Sequence, residues 1–250
     1  MLKVVCALLI MQLSNNARSE LVPTGKLRVG INFGNALLAN KSASGAEGGI
    51  AVDLARELAR RLNVPLEIVS YDSAGQMADG AKAGRWDVAF LGADPDRANE
   101  IAFTAPYLEV DTTYLVPPGS SLRSLADVDR EGVRIAVSEK SAYDLFLTRS
   151  LKRATLVRVP GVGPSVDLYF AQKLDALAGL RPILADAAAR QPGSRVLEGS
   201  FTVVEQAVGT PKGRADAANY LRQFVEDVKR SGLVAKAIEN NGIRGVSVAR

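Results

Sequence analysis

The sequence predicts an α/β fold of two similar lobes, each a mostly parallel sheet flanked by helices, joined by two crossover strands. Three observations carry this expectation. Short apolar runs alternate with amphipathic helical segments between Leu27 and Leu91, and strand–helix–strand–helix–strand in so few residues implies parallel pairing with right-handed crossovers. The same alternation recurs between Val133 and Leu180. Between the two halves lies a stiff connector, Pro117-Pro118-Gly119-Ser120, and a late strand, Phe201–Gly209, can return the chain to the first lobe.

Taken in order, Leu27–Ile31 is a short strand stopped by Asn32-Phe33-Gly34-Asn35, and residues 41–49, KSASGAEGG, form a flexible turn. Over Ile50–Leu62 the residues Ile50, Leu54, Leu58 and Leu62 recur at steps of four with Val52, Ala55 and Ala59 beside them, which makes one apolar helical stripe. Asn63 and Pro65 end that helix. Leu66–Tyr71 is a strand, Gln76–Ala83 a short helix closed by Gly84, and Val88–Leu91 a buried strand. Thr112–Val116 is a strand that leads into the connector, where the first crossing between lobes is expected. The second half then repeats the pattern: strand Val133–Val137, helix Ala142–Leu151 behind a Ser141 N-cap, strand Leu156–Pro160, helix Pro164–Gln172 and strand Leu174–Leu180. A helix over Leu184–Arg190, the return strand and two helices within Arg214–Asn241 complete the chain. The expected division is lobe 1 over residues 20–115 and 206–250, and lobe 2 over residues 116–205.

Composition excludes several classes of function. There is no histidine and the only cysteine is Cys6. Ser-His-Asp and Cys-His nucleophile systems, His-based metal sites and an internal disulfide are therefore not expected. No metal or cofactor is expected either. The formal charge is +4, with basic residues scattered among acidic ones, which argues against a nucleic-acid partner. Residues 1–19 read as a signal peptide. Lys3 supplies the charge, Val4–Leu13 the apolar stretch and Ala17-Arg18-Ser19 a small-x-small cleavage pattern. Removing Lys3 and Arg18 with it leaves +2, and export to the periplasm follows as the expected location.

The site is expected around Asp87–Tyr107. An apolar strand breaks at Gly92, turns through Asp94-Pro95-Asp96 and presents Arg97. A guanidinium just past the C-terminal end of a parallel strand lies where open α/β sheets bind ligands. It stays charged at physiological pH and can hold a carboxylate through two parallel N–H donors. Backbone N–H groups around Ser141, at a helix N-terminus in the other lobe, could share the anion.

Several segments, in this order, resemble a known family: Gly49-Ile50-Ala51-Val52-Asp53-Leu54-Ala55, Gly84-Arg85-Trp86-Asp87-Val88, Pro95-Asp96-Arg97 and Phe103-Thr104-Ala105-Pro106-Tyr107. In the second half Ile135-Ala136-Val137 with Lys140-Ser141, Gln172-Lys173-Leu174-Asp175-Ala176 and Val208-Gly209-Thr210-Pro211-Lys212-Gly213 follow. Together they are similar to the extracellular solute-binding proteins, family 3, of amino-acid ABC transporters. The resemblance implies a periplasmic-binding-protein (Venus flytrap) fold that binds a small carboxylate-bearing solute, an amino acid or related organic acid, in the cleft and delivers it to a membrane permease. It implies a monomer and no catalysis. It also implies that Arg97 pairs with the ligand carboxylate.

Three features depart from the family pattern. The turn before Arg97 is short, with Asp94 where Thr or Ser is usual. Asn32-Phe33-Gly34-Asn35 replaces an aromatic-Pro-Pro-Phe motif. The acidic residue that takes the ligand ammonium is replaced by Leu180, followed by Arg181. Either Asp94, Glu139 or Glu205 substitutes for it, or the ligand has no amine. The expected ligand-binding set is Arg97, Asp94, Ser141, Phe33, Asn32, Tyr143 and Glu205. Some of these have a second reading: Asp94 as a loop cap, Phe33 as core packing, Ser141 as a plain N-cap. Two alternatives to transport remain, a lyase of the cyclohexadienyl dehydratase type on the same scaffold and a ligand-sensing module for a membrane receptor.

Overall fold

A computed structural model describes residues 15–250. Most of the expected signal peptide lies outside the described residues. Its last residues belong to helix α1 (Asn15–Leu21), which buries Ala17 and Leu21. Arg18 donates to Leu62 O at 2.9 Å, and Glu20 accepts from the Ala217 amide at 2.8 Å. The expected cleavage point after Ser19 thus falls inside a helix packed on the body of the protein.

Strand β1 (Leu27–Asn32) is followed by a two-residue hairpin, β2 (Asn40–Lys41) with β3 (Glu47–Gly48), in the segment expected to be a plain flexible turn. Helix α2 (Ile50–Leu62) buries the whole predicted stripe and ends on Asn63 in the left-handed region, φ 51°. Gly49 before it has φ +106°, and a Cβ there would lie 2.5 Å from Leu38 O, so the close approach requires glycine. Next come β4 (Leu66–Tyr71), α3 (Ala74–Lys82) and β5 (Val88–Gly92). Strands β4, β1 and β5 pair in parallel in that order.

The largest difference from the expectation is β6 (Ile101–Val116), a single strand of 16 residues. The sequence predicts a strand here only over Thr112–Val116, whereas the observed strand starts at Ile101 and runs through Pro106, which has no N–H to give to a ladder. Pro106 lies opposite Ala207, where the register of the partner strand shifts, and the Thr104 hydroxyl there accepts from the Val208 amide at 3.1 Å. A bulge and a side-chain acceptor let the strand run through. At about 3.4 Å per residue β6 spans over 50 Å, enough to serve both halves of the sheet. Within it Thr112 pairs both with Thr202 and with Leu180. Residues 117–120, where the crossing between lobes is expected, follow just beyond the strand end.

The second half holds β7 (Arg134–Ser138), α4 (Ala142–Ser150), β8 (Thr155–Val159), α5 (Val162–Ala171), β9 (Ala176–Leu180) and α6 (Arg181–Ala189). Short β10 (Arg195–Val196) precedes β11 (Thr202–Pro211), which returns antiparallel to both β6 and β5. Helices α7 (Ala215–Arg230) and α8 (Leu233–Asn240) and strand β12 (Ser247–Val248) close the chain. The sheet order is β4-β1-β5-β11-β6-β9-β7-β8, with β10 and β12 on β6. Two parallel three-stranded flanks are therefore joined through two long antiparallel strands. Among the described residues no helix is long and apolar enough to cross a membrane.

Candidate functional site

A cavity lies between the two flanks. Its position follows from the topology. The last residues of four parallel strands line it: Asn32 of β1, Gly92 of β5, Ser138 of β7 and Leu180 of β9. Because each crossover helix starts where its strand ends, first-turn residues line it as well: Ala51 of α2, Ala74 of α3, Ala142 of α4 and Val162 of α5. The first turns of four helices, two from each flank, thus bring positive dipole ends to one small space, with some of their amides already taken: Ala51 N–H by Leu38 O, Gln76 N–H by Ser73 Oγ and Asp144 N–H by Ser141 Oγ. Such a convergence favours an anion.

Arg97 is the charged side chain of this cavity. It sits in a 3₁₀ turn, Arg97–Asn99, just past β5 and is 6% exposed. Nη1 donates to Gly92 O and Nη2 to Lys140 O, both at 2.7 Å, so the guanidinium joins the two flanks. Its Nε is buried with no hydrogen-bond partner. Burial lowers its pKa to about 10, opposed by Asp94 and Asp79, and it therefore stays a cation at neutral pH. A buried cation that meets only carbonyl dipoles is under-compensated. Tyr143, 3% exposed and also in the lining, has a hydroxyl without a hydrogen-bond partner. Burial pushes its phenol up to about 12, which leaves it an O–H donor at physiological pH. Ser141 lines the cavity while its Oγ caps α4 by accepting from the Asp144 amide at 3.1 Å.

Asn32, Arg97, Ser141 and Tyr143 are thus brought together, and three expected contacts lie elsewhere. Asp94 accepts from Arg149 Nη2 at 2.7 Å and from the Asp96 amide at 2.9 Å, so it is a loop cap and an ion-pair partner across the flanks. Phe33 lies in the turn after β1, outside the lining, and packs against the core. Its ring packs under the Lys41 ammonium, 4.5 Å from the centroid. Glu205 lies between Val204 and Gln206, which both line the cavity, and the two-residue period of a strand turns it to the opposite face. Glu139, the third substitute acid, is also outside the lining. Among the described residues no Asp or Glu lines the cavity.

The remaining walls were not foreseen. Leu38, Met77, Phe90 and Leu91 supply apolar surface, with Asn35, Ser138 and Gln206 as polar groups. Ser138 and Gln206 could have been found from the strand ends and from alternation about Glu205. Asn35 and Leu38 come from an irregular loop whose course no periodicity reports.

Contacts across the cleft close it in this conformation. Arg149 also reaches Asp96 at 2.8 Å, and Lys140 Nζ pairs with Asp79 at 2.9 Å. Gly75 approaches so closely that a Cβ on it would lie 2.7 Å from the Lys140 Cβ.

Known proteins share this architecture. Cyclohexadienyl dehydratase of Pseudomonas aeruginosa is 25% identical over 242 residues, covering 92% of this chain and 87% of that one. The solute receptor for L-cysteine of Neisseria gonorrhoeae superposes with a TM-score of 0.80 at 22% identity, covering 93% of this chain and 96% of that one. The ancestral amino acid-binding protein AncCDT-1, a precursor of cyclohexadienyl dehydratase, does so at 0.76 and 22% identity, covering 89% and 98%. Such neighbours are two-lobed binding proteins, and the flanks described above correspond to that architecture. Residues 27–241 match the bacterial extracellular solute-binding proteins, family 3, and the chain belongs to that family.

Proposed function

We propose that this chain captures a small carboxylate-bearing solute between two lobes, residues 20–115 with 206–250 and residues 116–205, and delivers it to an ABC transporter permease. One observation carries the reading. Arg97 is a buried cation shared by both flanks, with an unpartnered Nε, where four helix N-termini converge. A carboxylate there would accept from the guanidinium and from amides of both lobes, which couples capture to closure. Asn32, Ser141 and Tyr143 are its further contacts. Export to the periplasm and action as a monomer belong to the same reading.

Native mass spectrometry of the purified protein, followed by calorimetry with a panel of small carboxylates, tests it. The expected outcome is one-to-one binding without turnover. A second reading, a lyase of the cyclohexadienyl dehydratase type, is favoured by the likeness to the P. aeruginosa enzyme. A proton for such chemistry would have to come from a group other than Asp94, Glu139 or Glu205, since none of the three lines the cavity. Steady conversion of a bound acid, followed by NMR, would establish the lyase reading instead.

A further inference from the structure

We propose that the captured solute is an organic anion without an ammonium group, a simple, hydroxy- or keto-carboxylate, and not a zwitterionic amino acid. This rests on the capture reading above and narrows it. The cavity's charged side chain is a cation, its lining contains no carboxylate among the described residues, and four helix N-termini add positive potential. A carboxylate is favoured everywhere in that space. An α-ammonium only two bonds from that carboxylate would be desolvated against the same field, with no acid to compensate it.

The acids that act on Arg97 are engaged elsewhere, Asp94 with Arg149 and Asp79 with Lys140 Nζ at 2.9 Å. Asp144, in the first turn of α4, accepts from Arg158 Nε at 2.9 Å and the Lys140 amide at 2.8 Å. The lining also includes Leu180, 2% exposed, with Val204 and Phe90. The polar groups on offer are neutral: the Gln206 amide and the Tyr143 hydroxyl, the latter with no partner of its own. These can donate to a hydroxyl or keto oxygen, and the phenol at pH 7 cannot supply negative charge.

The test is calorimetry on the intact protein with matched sets: lactate, pyruvate and propionate against L-alanine, and α-hydroxyisocaproate and isocaproate against L-leucine. In each set the amine-free acid should bind more tightly by about 100-fold or more, the scale expected for one uncompensated buried charge. Gln206→Glu, which changes an amide to a carboxylate of the same shape, should reverse the order within a set. Leu180→Asp offers the same reversal from the other wall. Tighter binding of the amino acids by the unsubstituted protein, abolished by Arg97→Met, would overturn this inference and leave the capture reading standing. Binding of no acid in either set, or binding indifferent to Arg97→Met, would overturn the capture reading and the inference with it.

Discussion

The two ends of β5 carry opposite solutions to the same problem, a charge out of contact with water. At its start Asp87 is 0% exposed and paired with two cations. Arg28 donates to it through Nε at 2.9 Å and Nη2 at 2.8 Å, and Arg214 through Nη1 at 3.0 Å. At its end Arg97 is nearly as buried, yet its partners are two backbone carbonyls and one of its N–H groups has none. The first arrangement ties β1, β5 and the segment before α7 into one unit. The second is complete only with an anion supplied from outside. Compensation within the chain marks a structural charge, and its absence marks a binding one.

Substitution at each end should separate the two roles. Asp87→Asn leaves Arg28 and Arg214 facing each other without their carboxylate and should cost about 3 kcal/mol of unfolding free energy. Urea titration measures this, and affinity of the folded fraction should not change. Arg97→Met should do the reverse. Losing the charged partner of a buried pair should weaken carboxylate binding by about 2–5 kcal/mol, while stability without ligand stays level or rises, because an uncompensated cation is removed. If Arg97→Met unfolds the protein and Asp87→Asn abolishes binding, the contrast between the two ends is wrong.

Smaller changes sharpen it. Tyr143→Phe removes a buried hydroxyl of the lining that has Ser141 and Ser138 beside it. It should leave the ligand-free chain about as stable and weaken binding by about 1 kcal/mol, which a thermal melt with and without ligand can read. The smallest effect expected is that of pH. The lowered pKa of Arg97, about 10, is still far above neutrality. Carboxylate affinity should be flat through neutral pH and fall only as pH rises through about 10, when the cation is lost. Below that pH, binding should neither take up nor release a proton at Arg97, which calorimetry in buffers of different ionisation enthalpy checks.

Much of this was legible in the chain. The apolar stripe of Ile50–Leu62 and the repeated strand–helix alternation are local patterns, set by the periods of a helix and a strand, and they determined two parallel flanks with Arg97 at a strand end. Ser141 was readable as an N-cap for the same reason. Other features needed the fold. That one strand runs through Pro106 depends on the bulge opposite it and on the Thr104 hydroxyl. Asp94 and Arg149 lie 55 positions apart and pair only when the flanks meet. Glu205 and Gln206 are neighbours in sequence and opposites in space, divided by which face β11 turns to the cavity. The sequence by itself determined which elements form and which residue types could hold an anion. Only the fold shows that no acid among the described residues shares the cavity, because charge compensation depends on distances between segments that local periodicity does not encode.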